Sequence, residues 1–362
     1  MKVCSLELKD FRNYETLSMN FDKGTNILYG DNAQGKTNIL EAVYLCATSK
    51  SHRGGREKEM IRFGCEQAHI RLVVERDNQE ITLDVHLKKN RSKGIAINHF
   101  PIKKAADLYG ILNIIFFSPE DLNIVRSGPS ERRRFIDSQL CQMDKLYLYN
   151  LSNYNRILNQ RNKLLKDITF RPEWKDTLSV WDEQLADFGE KIVSRRAKFM
   201  EEISPLVHEI HANISGNKED LFLSYQPDTP AGEIAKALER NREKDLKFGQ
   251  TNAGPHRDDM GIKLSEVDMR RFGSQGQQRT CALSLKLSEI QLLENAFGEK
   301  PVLLLDDVMS ELDGNRQNFL LKSLYDTQTL ITCTGMDDFV RNHFPMHKVF
   351  EVISGRVQEK SA

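Results

Sequence analysis

The sequence lacks an excess of charge, a long apolar run and paired cysteines. Lys plus Arg and Asp plus Glu are both 52, so the formal net charge is zero. Any nucleic-acid contact must then come from local patches rather than from a globally basic surface. The six cysteines, Cys4, Cys46, Cys65, Cys141, Cys281 and Cys333, are scattered without a C-x-x-C pair. That spacing indicates neither a zinc site nor a disulfide framework, and reads as reduced, small core residues. No apolar stretch approaches the length that spans a bilayer, and Met1 to Phe11 alternates like a strand instead of resembling a signal peptide. A soluble cytoplasmic protein with no membrane partner is expected. Its 362 residues allow two domains, or one large domain with an insertion.

What is present begins with Ile27 to Leu40, ILYGDNAQGKTNIL. A short apolar run precedes Gly30, four residues follow, and then come Gly35, Lys36 and Thr37, the spacing of a phosphate-binding loop between a buried strand and a helix. Gly30 and Gly35 let the backbone turn so that successive N–H groups from Asp31, Asn32, Ala33 and Gln34 onward converge on phosphate oxygens. Lys36 supplies a point charge, Thr37 offers a hydroxyl to Mg²⁺, and the helix opening at Asn38 points its positive end at the same phosphates. The loop therefore predicts a nucleotide triphosphate site.

Around this loop the chain changes texture twice. Val3 to Leu8 and Leu17 to Phe21 read as a hairpin, Ser51 to Gly64 as an irregular exposed segment, and Ala68 to Glu75, Glu80 to Leu87 and Gly94 to Ile97 as a small antiparallel sheet. Leu112 to Phe117 is a buried strand. Beyond about Ser130 the chain is charged and helical, with segments Glu131 to Ile168 and Trp174 to Ile214 folding back on each other around the turn Thr169 to Pro172. Apolar residues from Leu178 to Ile210 recur at spacings of three and four, interrupted by Arg195 or Arg196, which is a coiled-coil-like seam; a protruding coil and a packed bundle fit it equally. Pro205 should start a new helix or kink the old one. Ala231 to Lys247 reads as one amphipathic helix. His256, Asp258 and Asp259 lack metal-ligand spacing and an accompanying nucleophile, so a polar structural network is expected there. The domain reading is 1–125, 126–245 for the helical insertion, and 246–362.

Two later stretches complete the chemistry. Pro301 to Asp307, PVLLLDD, is a buried strand delivering an acidic pair: Asp306 for the Mg²⁺ shell and Asp307 to orient or deprotonate the attacking water. Phe272 to Thr280, FGSQGQQRT, puts Ser274, Gln275 and Gly276 at a helix N-terminus, an anion-binding surface. Loop, long insertion, serine-glycine-glutamine motif, acidic strand and SELD (Ser310 to Asp313) follow in order. In this order the chain resembles the ABC-type ATPase heads shared by transporters and by SMC-like chromosome-maintenance proteins. Among these it is most similar to the RecF family, through FRNY (Phe11 to Tyr14), GDNAQGKTN, KSHR (Lys50 to Arg53), FSPEDL (Phe117 to Leu122), RRRFID (Arg132 to Asp137), GPHRDD (Gly254 to Asp259), SQGQQR (Ser274 to Arg279) and LLLDDVMSELD (Leu303 to Asp313).

The resemblance implies an α/β fold, a P-loop ATPase head with a mixed sheet core and a small antiparallel sheet, carrying an inserted α-helical, coiled-coil-like domain. It implies an ATP-dependent homodimer in which Ser274 of one copy closes on the γ-phosphate held by the other, with Lys36, Asp306, Asp307 and Ser274 catalytic and Arg12 and Asn13 near the adenine. It also implies weak, DNA-stimulated ATP hydrolysis with Mg²⁺, binding to duplex or gapped DNA, nucleoid association, and work with RecO and RecR in loading the RecA recombinase. Arg53, Arg56, Arg62, Arg132, Arg133, Arg134, Arg195, Arg196, Arg270 and Arg271 are the candidate phosphate contacts. Asp307 stands where most ABC heads have glutamate, so turnover should be slow. Ser118-Pro119-Glu120 replaces a transporter's glutamine, and ITCTG (Ile331 to Gly335) lacks a histidine, leaving Thr332 or Thr334 to serve. A transporter subunit and a non-hydrolysing scaffold glued by ATP are the alternatives.

Overall fold

The computed structural model describes residues 1–309, 312–335 and 346–360, so Ser310 and Glu311 of SELD lie outside the described residues. The chain forms two compact units, Met1–Asp121 with Glu289–Ala362, and Leu122–Ser288. The serine motif thus belongs to the same unit as the helical insertion, unlike the division at 245/246 suggested by texture. Composition marks where charge and helicity change, whereas compactness follows which strands pair with which.

The first unit opens with β1 (Lys2–Phe11), β2 (Tyr14–Asn20), β3 (Thr25–Tyr29) and α1 (Lys36–Thr48). Then come β4 (Gln67–Arg76), β5 (Gln79–Lys88), β6 (Arg91–Ile97), the short β7 (Phe100–Pro101) and β8 (Ile114–Phe117). The expected hairpin and the expected small sheet are one six-stranded antiparallel sheet, ordered β2-β1-β4-β5-β6-β7. β1 is the reason, because it pairs with β2 on one edge and β4 on the other. Period-two alternation buries Leu6, Leu8, Ile70, Leu72, Leu83 and Val85 in one core with Ile39, Leu40 and Val43 of α1. Each such side chain contributes roughly 1.5–3 kcal/mol by leaving water.

The second unit comprises α2 (Leu122–Arg126), α3 (Pro129–Met143), α4 (Lys145–Ile168), α5 (Leu178–Ser215), β9 (Leu221–Gln226), α6 (Ile234–Arg240), α7 (Arg242–Phe248), β10 (Asp259–Leu264), β11 (Val267–Asp268), α8 (Met269–Phe272) and the start of α9 (Gln275–Phe297). The segment expected as one helix from Glu131 breaks at Asp144, whose carboxylate accepts from the N–H groups of Leu146 and Tyr147 and so caps α4. The segment expected to run from Ala231 to Lys247 is likewise two helices, meeting at Asn241. Conversely, Pro205 lies inside α5. α5 packs on α3, α4, α6 and β9, more partners than a two-stranded coil provides. Its buried stripe follows Leu185, Ile192, Phe199 and Ile203, then shifts past Pro205 to Val207 and His211 in place of the expected Leu206 and Ile210. The charged interruption of the seam is Arg196, 2% exposed, held by Asp137 and Asp258, both 2.8 Å away. Buried charge is tolerated there because it is paired.

The chain returns to the first unit with β12 (Val302–Asp306), α10 (Gly314–Ser323), β13 (Thr329–Cys333), β14 (Met346–Ile353) and β15 (Arg356–Lys360). These complete a sheet ordered β15-β14-β3-β13-β12-β8, parallel except for β15. Val302 to Leu305 and Thr329 to Cys333 are buried throughout, as strands covered on both faces require. Asp313, the last residue of SELD, caps α10 through the N–H of Arg316.

Candidate functional site

The phosphate-type loop spans the gap between β3 and α1, and its backbone needs its glycines. Gly30 has φ +146° and an added Cβ would lie 2.3 Å from the carbonyl oxygen of Val352; Gly35 has φ +116° and a Cβ there would lie 2.6 Å from Asn13 Nδ2. The FRNY turn braces the loop from outside. Asn13 Nδ2 donates to the Gln34 carbonyl at 2.9 Å, Asn38 Nδ2 donates to Asn13 Oδ1 at 2.8 Å, and Tyr14 donates to the Gly35 carbonyl at 3.1 Å. From the turn between β14 and β15, the Ser354 N–H donates to Gln34 Oε1 at 2.6 Å. Lys36 Nζ donates to the carbonyls of Gly30 and Asp31. Burial lowers the pKa of this ammonium, and Asp307 and Asp306 pull it back up.

The acidic pair stands opposite. Thr37 and Thr332 each donate to Asp306 Oδ1 at 2.8 Å, and the Asp307 N–H donates to Thr332 Oγ1 at 3.1 Å. Of the two threonines left open by the sequence, Thr332 is therefore the one touching the acidic strand. Asp307 turns away from β12 with φ +53°, a left-handed backbone that aspartate tolerates better than most residues. A cavity of about 350 Å³ lies between loop and strand, with Asn32 through Asn38, Asp306, Asp307 and Thr332 on its walls. One ammonium, a hydroxyl, helix-end N–H groups and two carboxylates facing a single cavity suit a phosphate chain with a hard cation.

Arg53 also lines this cavity, and donates to Asn38 Oδ1 at 3.1 Å. The sequence suggested only a DNA contact for it. Arg12 forks onto Glu41, with Nε and Nη2 2.8 and 2.6 Å from its oxygens, and donates to the Glu59 carbonyl. Neither Arg12 nor Asn13 is on the cavity wall. Glu41 escaped the sequence reading. It is fully buried, and accepts from Ser51 at 2.5 Å as well as from Arg12. Burial works to raise its pKa, but the hydrogen bonds from Arg12 and Ser51 and the Arg12 charge outweigh this, leaving it depressed. A lone carboxylate inside the apolar run Ile39 to Cys46 was the available signal.

In the other unit Ser274 opens α9. Its N–H donates to Gln277 Oε1 at 3.0 Å, and the Gln277 N–H donates to Ser274 Oγ at 3.2 Å, a reciprocal cap. Ser274 and Gln275 are exposed and Gly276 is half-buried. Gln277 Nε2 donates to Glu219 at 2.8 Å, and Glu219 lies 3.4 Å from the buried His211. In GPHRDD, Asp258 is 1% exposed and pairs with Arg196, while the His256 ring bonds Tyr154 at 2.7 Å, a polar network inside the unit.

Two expected DNA contacts need correction. Arg132 is 3% exposed with its fork on Asp259, 2.6 and 2.9 Å away, and Arg196 is enclosed as described. Neither guanidinium can reach a phosphate without giving up its carboxylate, half-buried Asp259 for Arg132 and buried Asp258 for Arg196. Arg133 is half-buried on the Asp258 carbonyl, and Arg195 is shared between Asp144 and Glu202. Arg62 pairs with Glu15 and Asp10, while Arg53, Arg56, Arg134, Arg270 and Arg271 are exposed.

The parallel sheet, the glycine loop at its strand ends and the acidic pair on a neighbouring strand define an ABC-type ATPase head. Residues 2–357 match the family model described as the RecF/RecN/SMC N terminal domain. The chain is 59% identical to the DNA replication and repair protein RecF of Agathobacter rectalis and 54% identical to that of Lachnospira eligens, in each case over 99% of both chains. It superposes on a solved structure of the recombination mediator protein RecF with ATP at a TM-score of 0.92, with 36% identity over 99% of this chain and 97% of that one. An Smc head domain from Pyrococcus furiosus, 16% identical over 99% of this chain and 96% of its own, shares the fold at a TM-score of 0.57. The chain belongs to the RecF family of DNA replication and repair proteins.

Proposed function

We propose that this chain is an ATP-switched, DNA-binding dimer of recombinational repair. The observation that carries the reading is the convergence of Lys36, Thr37 and Asp306 on one cavity at the strand ends. ATP is held by the loop, with Lys36 leaving the carbonyls of Gly30 and Asp31 for the phosphates. Thr37 and Asp306 fit Mg²⁺, since hydroxyl and carboxylate oxygens 2.8 Å apart are hard donors on adjoining walls. The ion would supply charge neutralisation for the β and γ phosphates. Asp307 orients water, and its short side chain makes turnover slow.

The exposed cap Ser274 to Gly276 supports an isologous dimer in which each copy closes the other's triphosphate. ATP then stabilises the dimer and hydrolysis releases it. Arg56, Arg134, Arg270 and Arg271 are the remaining candidates for backbone contacts to duplex or gapped DNA. With RecO- and RecR-like partners, the dimer would mark gaps in cytoplasmic, nucleoid-associated DNA for loading of recombinase. Full-length similarity to RecF proteins gives no support to the transporter alternative. Sedimentation with ATP, ADP and no nucleotide, each with and without gapped DNA, tests the reading. Dimer with ATP alone is expected, and a monomer under every condition rejects it.

A further inference from the structure

Strand periodicity places a second, chemically different cluster on the face of the antiparallel sheet opposite its apolar core. In the register of β4 and β5, His69 stands directly across from His86 and Arg71 directly across from Asp84. Leu83, Val85 and Leu87 point to the core, so Asp84 and His86 point together to the other face. The two imidazoles stack with centroids 4.2 Å apart and planes 11° from parallel, and His69 Nε2 is 2.8 Å from Asp84 Oδ1.

We propose that His69, His86 and Asp84 form a binding site for a divalent transition-metal ion of the zinc class. Their donor atoms all lie within 4.8 Å of one another. Around a tetrahedral ion with bonds of about 2.0–2.2 Å, ligand atoms are roughly 3.4 Å apart, so small rotations of the two rings suffice. Imidazole and carboxylate are the donors such an ion selects over Mg²⁺.

The ion-free alternative, a hydrogen-bonded histidine, accounts for His69; the exposed ring of His86 stacks on it and has no side-chain hydrogen-bond partner among the described residues. Asp84 is 3% exposed and accepts from Arg71 Nε at 2.9 Å. A carboxylate has further lone pairs, so Arg71 can fix its orientation while another lone pair ligates. Beside the rings a cavity of about 220 Å³, reached by Lys9, Asp10 and Gln67, leaves room for water to complete the shell. The ion would tie β4 to β5 at a point remote in sequence from Lys36 and Asp306.

Cobalt titration of the full chain, with excess Mg²⁺ to occupy hard sites, tests this through the visible d–d bands of tetrahedral Co²⁺. One equivalent should bind, Zn²⁺ should displace it, and H69A and H86A should each weaken it at least about tenfold. H208A should bind as the parent does. H86Q, at an exposed side chain, carries the comparison should H69A fail to fold. The proposal is overturned if no bands appear, if H86Q binds cobalt like the parent, or if thiolate-to-cobalt charge transfer shows cysteine ligation.

Discussion

Thr37 donates a hydrogen bond of 2.8 Å to Asp306, a residue 269 positions further along the chain. The sheet explains the encounter. β13 lies between β3 and β12, with Thr332 paired to Asp306 on one side and to Leu28 on the other. Three parallel strands therefore end together: β12 ends on Asp306, β13 carries Thr332, and the loop after β3 returns Thr37 on α1 to the same carboxyl ends, where open α/β sheets bind ligands. Thr332 donates to the same carboxylate oxygen and receives the Asp307 N–H, so the protein's own hydroxyls fix the orientation of Asp306.

Lys36→Met tests the loop. The ammonium is held by two loop carbonyls, which in the proposed function it exchanges for phosphate oxygens. A charge-assisted hydrogen bond is worth about 1.5–3 kcal/mol, so affinity for a fluorescent ATP analogue should fall at least tenfold. ATP-dependent dimerisation should disappear with it. A variant that still dimerises with ATP removes the nucleotide from the switch.

Asp307→Asn is the cleanest probe of hydrolysis, because asparagine tolerates the left-handed backbone found at this position. Loss of the carboxylate should slow ATP turnover by about 10²–10⁴-fold and leave ATP binding intact. Dimer should accumulate in sedimentation with ATP. Unchanged turnover would take Asp307 out of water handling.

These two residues were legible in the sequence because short-range patterns encode them: a loop of fixed spacing after an apolar run, and an apolar run ending in carboxylates. Three strands of the parallel sheet, β3, β8 and β12, were legible for the same reason, as buried apolar runs. Register and partner choice were not. Nothing local to Val3–Leu8 says that β1 is flanked on both edges, and nothing around Asp144 outweighs helical periodicity until its capping geometry is seen. Arginine clusters misled for a related reason, since Arg132 and Arg196 meet their carboxylates only through tertiary structure. Glu41 and Glu219 likewise have partners distant in sequence.

Ser274→Arg should leave ATP binding to the monomer unchanged and block the dimer, because in the proposed dimer the exposed cap approaches a partner's triphosphate. Glu219→Ala should act in the same direction more weakly. It removes the acceptor at 2.8 Å that holds Gln277, and Gln277 forms the other half of the Ser274 cap. Net hydrogen-bond energies of about 1 kcal/mol translate to roughly a fivefold weaker dimer. An unchanged sedimentation profile for Ser274→Arg would count against closure across the dimer.

R270A/R271A should weaken duplex binding and reduce the slope of log affinity against log salt by about one for each phosphate that is no longer neutralised. Arg132→Ala should instead destabilise the fold by about 1.5–3 kcal/mol, since half-buried Asp259 loses its fork. Salt-titrated anisotropy and urea unfolding separate the two effects. A flat salt response in the parent chain would reject phosphate binding altogether.

Glu41→Gln gives the last prediction and a pH signature. Glu41 has a folded pKa below its ordinary 4.5, so its ionised form stabilises the fold above that value. The contribution is lost as pH falls through the depressed folded pKa, when the carboxylate protonates beside Arg12. Near neutral pH, glutamine leaves the Arg12 fork without its counter-charge, and a cost of about 3 kcal/mol is expected for breaking such a buried pair. Below the folded pKa both chains carry a neutral side chain, so the gap in urea-unfolding free energy between parent and variant should close. Arg53, 3.8 Å from Glu41 and on the cavity wall, should lose part of its placement, and ATP affinity should fall with stability at neutral pH. A gap that stays constant from neutral to acidic pH would show that packing, rather than the Glu41 charge, holds Arg12 and the segment carrying Ser51 in place.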